Sequence, residues 1–205
     1  MTGDDQRFAD ALRREGVEAA CIEPLAAYLS LLSRWNTTHN LVAAGSLEKL
    51  VRRHVVEALA GAGHLPSAAG LLIDVGSGAG LPGIPLLVAR PGWRGILVEP
   101  RTKRWAFLRL VVRELGLDAE VVDRRYQEMD LGEQLLDVVV SRALGGHDEL
   151  LAWSREHLRP AGKVLLWTTE EEVRRLESAP GWRVVSSPLP ELDRGRLADF
   201  QPCFT

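Results

Sequence analysis

The stretch LLIDVGSGAGLPGIPLL, residues 71–87, decides how the rest of the chain is interpreted. Its apolar beginning ends at Asp74, and glycines follow at positions 76, 78, 80 and 83. A backbone that must approach a ligand closely uses glycine, because glycine has no side chain that would block the contact. The stretch therefore predicts a buried strand, a ligand-binding turn and a helix that begins at Gly83.

Short apolar runs continue to alternate with helical patterns after this stretch. The predicted strands are LLIDVG, GILVE, AEVVD, LLDVVVS, KVLLW and WRVVSS, and the predicted helices begin at Gly83 and cover residues 102–115 and about 147–157. Strands that alternate with helices are typical of βαβ units, in which a mainly parallel sheet is covered on both faces. After residue 180 the chain is rich in strand patterns and proline, which predicts a C-terminal antiparallel hairpin.

The first third of the chain has a helical period. In PLAAYLSLLSRWN (residues 24–36), apolar residues recur at spacings of three and four, as on one face of a helix. SLEKLVRRHVVEALAGAG (residues 46–63) repeats the pattern, with Ser46 as a helix N-cap. We therefore expect an N-terminal helical cap over residues 1–66 and a doubly wound, Rossmann-like α/β domain over residues 67–205, which forms one compact unit.

Composition restricts the class of protein. The 205 residues are 46% hydrophobic and 26% charged, with a net charge of −3, which does not by itself indicate a nucleic-acid partner. No apolar stretch reaches membrane-spanning length, and the N-terminus is acidic and polar, unlike a secretory signal. Cys21 and Cys203 lie far apart without metal-ligand spacing. These features predict a cytoplasmic protein with reduced thiols, no metal and no membrane contact.

The glycine stretch satisfies two ligand-binding patterns. Residues 78–83 (GAGLPG) match the dinucleotide fingerprint, and Glu99 lies 21 residues after Gly78, where a ribose-binding acid belongs. Residues 74–80 (DVGSGAG) match the first motif of S-adenosylmethionine-dependent methyltransferases. Little chain remains for the second domain that a dehydrogenase needs, and Pro82 and Pro85 suit its long first helix poorly. The methyltransferase is favoured, and an NAD-dependent dehydrogenase stays open as a distant alternative.

The second predicted strand ends at Glu99. A carboxylate in that place can accept hydrogen bonds from two ribose hydroxyls. The alternative is a solvated residue in the turn before Pro100. We expect the ribose-binding role.

The sequence resembles the bacterial small-subunit rRNA guanine-N7 methyltransferases, the RsmG or GidB family, from about residue 25 to the end. The resemblance is carried by YLSLLSRWNTTHNLVAAG, VRRHVVEAL, DVGSGAGLPGIPL, VEPRTKRWAFLRLVVRELGL and DVVVSRAL, in the family's order and spacing. The family methylates N7 of the guanosine at position 527 in the 530 loop of 16S rRNA. The resemblance implies S-adenosyl-L-methionine as cofactor and 16S rRNA or the 30S subunit as partner, and we expect a monomer.

The resemblance also implies roles for individual residues. The residues expected to line the methionine part of the cofactor are Asp74, Gly76, Ser77, Gly78, Ala79, Gly80 and Leu81. Glu99 would hold the ribose, and Tyr126 and Gln127 would lie beside the adenine. Arg142, in Ser141-Arg142-Ala143, would face the substrate. The residues expected to contact the RNA are Arg52, Arg53, His54, Lys103 and Arg104.

The chemistry of guanine agrees with this assignment. Guanine N7 carries a lone pair and no proton at neutral pH, so attack on a sulfonium methyl group requires no general base. Catalysis should then be positioning of the two reactants. We expect Arg142 to clamp a guanine edge or a phosphate through two parallel hydrogen bonds, the alternative being a surface arginine after a strand. His54 is either a packed histidine or a ligand to the substrate.

Some residues depart from the family pattern. Glu57-Ala58 replaces Asp-Ser, Tyr126-Gln127 replaces Ala-Glu with Glu128 next to it, and Leu166-Trp167-Thr168 stands where Leu-Lys-Gly is usual. Three glutamates at 170–172 follow, close to where RNA would pass. Two alternatives therefore stay open, a methyltransferase of another RNA site or a small molecule, and a non-catalytic protein that binds S-adenosylmethionine or RNA.

Overall fold

The computed structural model describes residues 2–43, 45–190 and 194–203. Within this part of the chain seven strands form one sheet: β1 (Leu71–Val75), β2 (Arg94–Val98), β3 (Ala119–Val122), β4 (Leu136–Arg142), β5 (Leu158–Thr169), β6 (Trp182–Pro188) and β7 (Gly195–Pro202). Their spatial order is β3-β2-β1-β4-β5-β7-β6. The first five strands are parallel, and β7 is antiparallel to both β5 and β6.

The central parallel strand, β1, is buried on both faces. All five residues of β1 are buried, which explains why the strand reads as a continuous apolar run and not as an alternating one. The order of strands reverses between β1 and β4, because β2 and β3 lie on one side of β1 and later strands lie on the other. Ligands of such sheets bind at this switch point, beyond the carboxyl ends of the strands. The predicted α/β fold and C-terminal hairpin are confirmed.

Helices cover both faces of the sheet. They are α1 (Gly3–Arg14), α2 (Ala19–His39), α3 (Leu47–Leu50), α4 (Glu57–Leu59), α5 (Gly83–Ala89), α6 (Thr102–Leu115), α7 (His147–His157) and α8 (Glu170–Leu176), with a π-helical segment, Val51–Val56, between α3 and α4. One hydrophobic cluster joins the helices from α1 to α6 to one face of the sheet. A second cluster joins α7 and α8 to the other face.

The N-terminal helices share their core with the sheet. Tyr28 of α2 is fully buried, and its hydroxyl donates a hydrogen bond of 2.8 Å to the carbonyl of Ala79 in the glycine loop. Trp167 of β5 donates from its indole nitrogen to the carbonyl of Glu57, at 2.6 Å. The helical cap of the sequence-based prediction is therefore packed directly on the ligand-binding end of the sheet. The boundary at residues 66 and 67 stays a prediction.

Two local features differ from the sequence-based expectation. The segment from Ser46 to Gly63 was expected to be one regular helix, but its middle is π-helical. The three glutamates at 170–172 were not assigned to a helix, and they form the first turn of α8. Thr169 caps this helix by accepting a hydrogen bond of 3.2 Å from the backbone of Glu172. Acidic side chains in a first turn are stabilised by the helix dipole, so this run has a structural reason.

Tyr28→Phe is expected to lower the free energy of unfolding by about 1–2 kcal/mol, because the Ala79 carbonyl loses a buried donor. Urea denaturation measures the change. Tyr126→Phe is the matched control, since the Tyr126 hydroxyl makes no hydrogen bond within the described part of the chain. Equal stability of the two variants would contradict a role for the Tyr28 hydroxyl.

Candidate functional site

The loop after β1 folds over the end of the neighbouring strand. Gly76, Gly78 and Gly80 have φ angles of 71°, 61° and 94°, in the left-handed region that favours glycine. The backbone N–H groups of Gly76 and Ser77 both donate to the carbonyl of Val98 at the end of β2, each at 3.0 Å. This part of the chain therefore uses glycine for its backbone conformation, and the predicted close approach to a ligand stays a prediction.

Asp74 braces the loop from below. The residue is fully buried, and its Oδ2 accepts hydrogen bonds from the Ser77 hydroxyl at 2.7 Å and from the Gly83 backbone at 3.0 Å. Burial raises the pKa of this carboxyl to about 6, although the two hydrogen bonds act in the opposite direction. Its other oxygen, Oδ1, has no hydrogen-bond partner among the described residues. One carboxylate thus joins the end of β1 to the start of α5.

Glu99 fastens the same loop from the side of β2. Its Oε2 accepts from the Gly78 backbone at 3.0 Å, and its Oε1 accepts from the Arg101 backbone at 2.9 Å. The guanidinium of Arg104 lies 3.8 Å from Oε2. A carboxylate oxygen can accept two hydrogen bonds, so each oxygen keeps one lone pair for a further donor. The predicted ribose contact stays a prediction, and the structure adds a role in holding the loop.

Two hollows meet at Gly76. The first, called here the edge hollow, has a volume of about 230 Å³ and is lined by Pro100, Tyr126 and Gln127 among others. The second, called here the loop hollow, has a volume of about 240 Å³ and is lined by residues 76–79, Leu81 and Arg104 among others. An added Cβ at Gly78 would have no neighbour closer than 3.7 Å. The pair of hollows therefore suits an elongated ligand with two ends.

The predicted adenine-side residues lie in the edge hollow. Tyr126 is buried and packs edge-on against the Trp153 ring, with 5.3 Å between ring centroids. Gln127 donates from Nε2 to Glu149 at 3.0 Å. Burial raises the pKa of Tyr126, so its hydroxyl is neutral at ordinary pH. Both side chains are thus held in place by residues of α7.

A larger cavity of about 590 Å³ opens beside the loop hollow. It is called here the Arg142 cavity, and its polar and aromatic lining residues include Arg53, His54, Glu57, Arg142, His147, Trp167, Thr168, Thr169 and Glu172. His54, Arg142 and Ala143 line both this cavity and the loop hollow. The three residues therefore stand at the junction between the two spaces.

Arg142, the last residue of β4, is held by the helical cap. Its guanidinium donates to the Arg53 carbonyl at 3.1 Å and to Nδ1 of His54 at 3.2 Å, and it lies 3.9 Å from Oε2 of Glu57. Burial lowers the pKa of Arg142, but an arginine remains a cation in proteins. Only 18% of the side chain is exposed. The position is therefore not that of a freely solvated surface arginine.

The arrangement also decides the protonation state of His54. Burial, followed by the charges of Arg142 and Arg53, lowers the pKa of His54 to about 4, so the imidazole is neutral at pH 7. A guanidinium only donates hydrogen bonds, so Nδ1 of His54 must be the acceptor. The proton of the neutral ring is then on Nε2. His54 thus offers one N–H donor that Arg142 does not use.

The backbone is strained beside these side chains. Ala143 has a φ of 56°, in the left-handed region, which costs a residue with a Cβ about 1–2 kcal/mol. Strain of this kind is concentrated at functional sites, where the surrounding structure enforces it. Ala143 therefore marks the same junction as Arg142 and His54.

The structure separates the residues that were predicted to contact RNA. Arg53 and His54 line the Arg142 cavity, and His54 also lines the loop hollow together with Arg104, which faces Glu99. Arg52 donates to Glu15 of α1 at 2.9 Å. Lys103 is exposed on α6 and lines none of the three spaces. Three of the five residues thus line the Arg142 cavity or the loop hollow, and Arg52 and Lys103 line neither.

Other residues of the site were not assigned from the sequence. Glu57 is buried beside Arg142, and its only sequence signal was that it replaces an aspartate of the family motif. Trp167 and Tyr28 contact the site from within apolar runs, and the only sequence signal was that Trp167 belongs to a departure from the family pattern. Their roles depend on contacts between elements that are distant in the chain.

Glu172, the last glutamate of the acidic run, lines the Arg142 cavity and is paired with neighbouring basic side chains. Glu172 lies 2.7 Å from a guanidinium nitrogen of Arg175 and 2.6 Å from Nδ1 of His147, and Arg175 also pairs with Asp148 at 2.6 Å. The Arg175 hydrogen bonds, and then that of His147, lower the pKa of Glu172 to about 2. This carboxylate therefore ties α8 to the start of α7.

A family model for rRNA small subunit methyltransferase G matches residues 21–185. The chain belongs to this family. A relative from Stenotrophomonas maltophilia, named Ribosomal RNA small subunit methyltransferase G, is 38% identical over 173 residues, which cover 82% of this chain and 79% of the relative. One of the same name from Mycobacterium leprae is 41% identical over 140 residues, but the match spans 67% of this chain and only 57% of that relative's length. Membership of this family favours the methyltransferase pattern of the glycine loop over the dinucleotide pattern.

The fold is also that of known methyltransferases. The crystal structure of a methyltransferase from Pyrococcus furiosus has a TM-score of 0.62 to this chain, at 15% identity, and the match covers 88% of this chain and 98% of that one.

In the described part of this chain, no helix is both long and apolar enough to cross a membrane. Nor do residues 2–43, 45–190 and 194–203 contain a group of three or more metal-ligating side chains.

Gly78→Ala is expected to weaken S-adenosylmethionine binding about tenfold or more, since it adds a methyl group to the loop hollow and strains a backbone with a φ of 61°. Calorimetry measures the affinity. Gly116→Ala is the matched control, because Gly116 has the same φ of 61°, open space around it and a place at the far end of α6. Equal affinity losses in both variants would mean that backbone strain alone causes the effect.

His54→Gln is expected to remove a pH dependence of stability between about pH 6.5 and 4. In this window the unfolded chain binds more protons at His54 than the folded protein does, so the free energy of unfolding of the wild type falls as the pH falls. The difference between wild type and variant should change by up to about 1.4 kcal/mol per pH unit. Urea denaturation at several pH values measures it.

Asp74 acts with the opposite sign in that experiment. Its pKa is raised from 3.8 to about 6, so its contribution to the free energy of unfolding decreases as the pH rises through this range. Because Asp74 is present in both proteins, its contribution cancels in the difference. Parallel stability curves for wild type and His54→Gln would contradict a buried, neutral His54.

Proposed function

We propose that the protein transfers a methyl group from S-adenosylmethionine to N7 of a guanosine in small-subunit rRNA, with position 527 of the 530 loop as the expected target. The observation that carries the proposal is the junction at Arg142 and His54, where the loop hollow and the Arg142 cavity meet. A methyl donor in the first space and a base in the second would be neighbours. Membership of the methyltransferase G family supports the same reaction.

The two small hollows fit the two ends of the proposed cofactor. The adenine end belongs in the edge hollow beside Tyr126 and Gln127, and the methionine end belongs in the loop hollow. Asp74 is fully buried and lines neither hollow, so it acts through the loop that it braces. Arg104 in the loop hollow supplies a positive charge for a carboxylate. When bound, S-adenosylmethionine supplies an electrophilic methyl group.

Arg142 and His54 orient the base in this proposal. Guanine presents O6 and N7 as neighbouring acceptors on one edge. The Nε2–H of His54 and the unused N–H groups of Arg142 are donors at the junction, and donation to O6 would aim N7 at the loop hollow. The N7 lone pair carries no proton, so these residues position the base and remove nothing from it.

Glu57 balances the charge of this arrangement. Methylation at N7 gives the guanine ring a positive charge, which a lone guanidinium would oppose. The Glu57 carboxylate, 3.9 Å from Arg142 and 2% exposed as a residue, offsets that charge in a place shielded from water. This is a role for the acid that replaces the aspartate of the family motif.

The same reaction leads to proposals for the substrate, the oligomeric state and the compartment. We propose that the substrate is 16S rRNA, free or within the 30S subunit, and that the protein acts as a monomer in the cytoplasm. The resemblance to the RsmG family supports 16S rRNA as the target. The two cysteines, which lie far apart in the sequence, support a reducing compartment such as the cytoplasm.

Arg142→Ala is expected to lower kcat for methyl transfer by about a hundredfold or more, as for the loss of a group that positions the reactants. The Kd for S-adenosylmethionine should change less than about threefold, because the cofactor is held mainly by other residues. Arg142→Lys keeps the charge but loses the fixed pair of contacts to Arg53 and His54, so an intermediate rate is expected. A large loss of cofactor affinity in Arg142→Ala would contradict the assigned position.

A methyl-transfer assay tests the function itself. It uses tritiated S-adenosylmethionine and 30S subunits from a strain that lacks its own methyltransferase G. Label that maps to N7 of the guanosine at position 527 supports the proposal. Label elsewhere in the RNA would mean that the target differs, and cofactor binding without label on any RNA would mean a non-catalytic protein.

A further inference from the structure

Along one edge of the sheet, several exposed cations have no acidic partner within the part of the chain that the structure describes. Residues 99–125 contain seven Lys or Arg residues against five Asp or Glu residues. Two of these cations face acids, since Arg104 lies beside Glu99 and Arg113 lies beside Glu114. The other five are exposed, and within the described part of the chain no ion pair engages their side chains. These five are Arg101, Lys103, Arg109, Arg124 and Arg125.

The topology brings the five together. Arg101 follows β2, while Arg124 and Arg125 follow β3, so they lie where these parallel strands end, at the same edge as the glycine loop. Lys103 and Arg109 lie on α6, which connects the two strands. Because β3 is the outermost strand, this surface faces solvent. We call it the basic edge.

The basic edge is continuous with the ligand-binding cleft. Arg125 lines the edge hollow, next to Tyr126. Leu144 and Gly145 line both the edge hollow and the Arg142 cavity. An RNA chain on the basic edge would therefore reach the Arg142 cavity along this rim, without entering the two hollows assigned to the cofactor.

The other side of the cleft, formed by α7, β5 and α8, has the opposite balance of charge. Residues 147–177 contain seven acids against five Lys or Arg residues. Arginines of this segment form ion pairs with its acids. Arg174 pairs with Glu170 at 2.6 Å, and Arg175 pairs with Asp148 at 2.6 Å. A polyanion is therefore attracted to one side of the cleft and not to the other. The net charge of −3 conceals this asymmetry.

The surface suits RNA phosphates better than an acidic protein. Protein interfaces have an apolar, largely buried centre with a polar rim. The exposed large hydrophobic residues among the described ones are Leu135 and Val185, and neither belongs to the basic edge. The exposed guanidinium of Arg109 lies 4.8 Å above the centre of the Trp105 ring, and this cation–π contact leaves its charge unneutralised. Several separated cations without an apolar centre are typical of backbone-phosphate binding.

We propose that the basic edge binds the phosphate backbone of the rRNA substrate and leads the target nucleotide towards the Arg142 cavity. This inference rests on the proposed function for the identity of the RNA. It assigns Arg101, Arg109 and Arg124 to substrate binding, which the sequence patterns did not do. It also makes Lys103 a backbone contact without requiring it to reach the cavity.

The test neutralises two cations at a time. Arg109→Gln with Arg124→Gln removes charge from the basic edge, and neither residue lines the cavity or the hollows. Arg14→Gln with Arg183→Gln is the control, because it removes the same charge from exposed arginines on α1 and β6. The measured quantities are the KM for 30S subunits, kcat, and the Kd for protein-free 16S rRNA at several salt concentrations.

The double variant of the basic edge is expected to raise the KM and the RNA Kd about tenfold, with kcat and cofactor affinity unchanged. Its slope of log Kd against log salt should decrease by about one to two, corresponding to two lost phosphate contacts. The control should change both constants less than about twofold. Equal losses in the two double variants would overturn the inference, because net charge alone would then explain them.

Two further outcomes separate the inference from the proposed function. If the wild type methylates no RNA but the double variant still loses RNA affinity, the proposed function fails and the basic edge stands as an RNA-binding surface. If the double variant loses affinity for 30S subunits but binds protein-free 16S rRNA as well as the wild type does, the partner of this surface is a protein and the inference is overturned.

Discussion

The buried carboxylate of Asp74 is the contact on which the ligand-binding end of the sheet depends. It joins the end of β1 to Ser77 in the loop and to the backbone of Gly83 at the start of α5. Gly83 fits because it has no side chain, since an added Cβ would lie 2.6 Å from the same carboxylate oxygen. A buried charge requires such donors, and in return they hold the loop in one shape. The two hollows that meet at Gly76 exist because this shape is held.

The proposed catalytic centre is built between two parts of the chain that are distant in sequence. Arg142 ends β4, but Arg53 and His54, in the π-helical segment of the cap, hold its guanidinium. Short π-helical segments are common at functional sites, where they redirect side chains. The helical cap is therefore part of the site. Tyr28 and Trp167 add hydrogen bonds that keep the cap on the sheet.

The charge distribution changes the meaning of the acidic residues that follow β5. In sequence, the glutamates at 170–172 oppose an RNA substrate, and they follow the segment in which the family's usual lysine is lost. In the fold they begin α8, where Glu170 and Glu172 pair with arginines of the same helix. On the other flank, at the ends of β2 and β3 and on α6, five exposed cations have no acidic partner within the described part of the chain. A polyanion can therefore approach this site although the whole chain is acidic.

The sequence by itself determined the α/β fold, the glycine loop and the family, because apolar period and glycine spacing are local properties that a linear pattern records. It also placed Arg142 at a strand end. Only the tertiary structure decided that Arg142 is held by His54 and Arg53, that Asp74 and Glu99 brace the loop, and that Arg52 faces Glu15. These outcomes depend on how distant elements pack, because burial and neighbouring charge, not residue type, set what each side chain contacts.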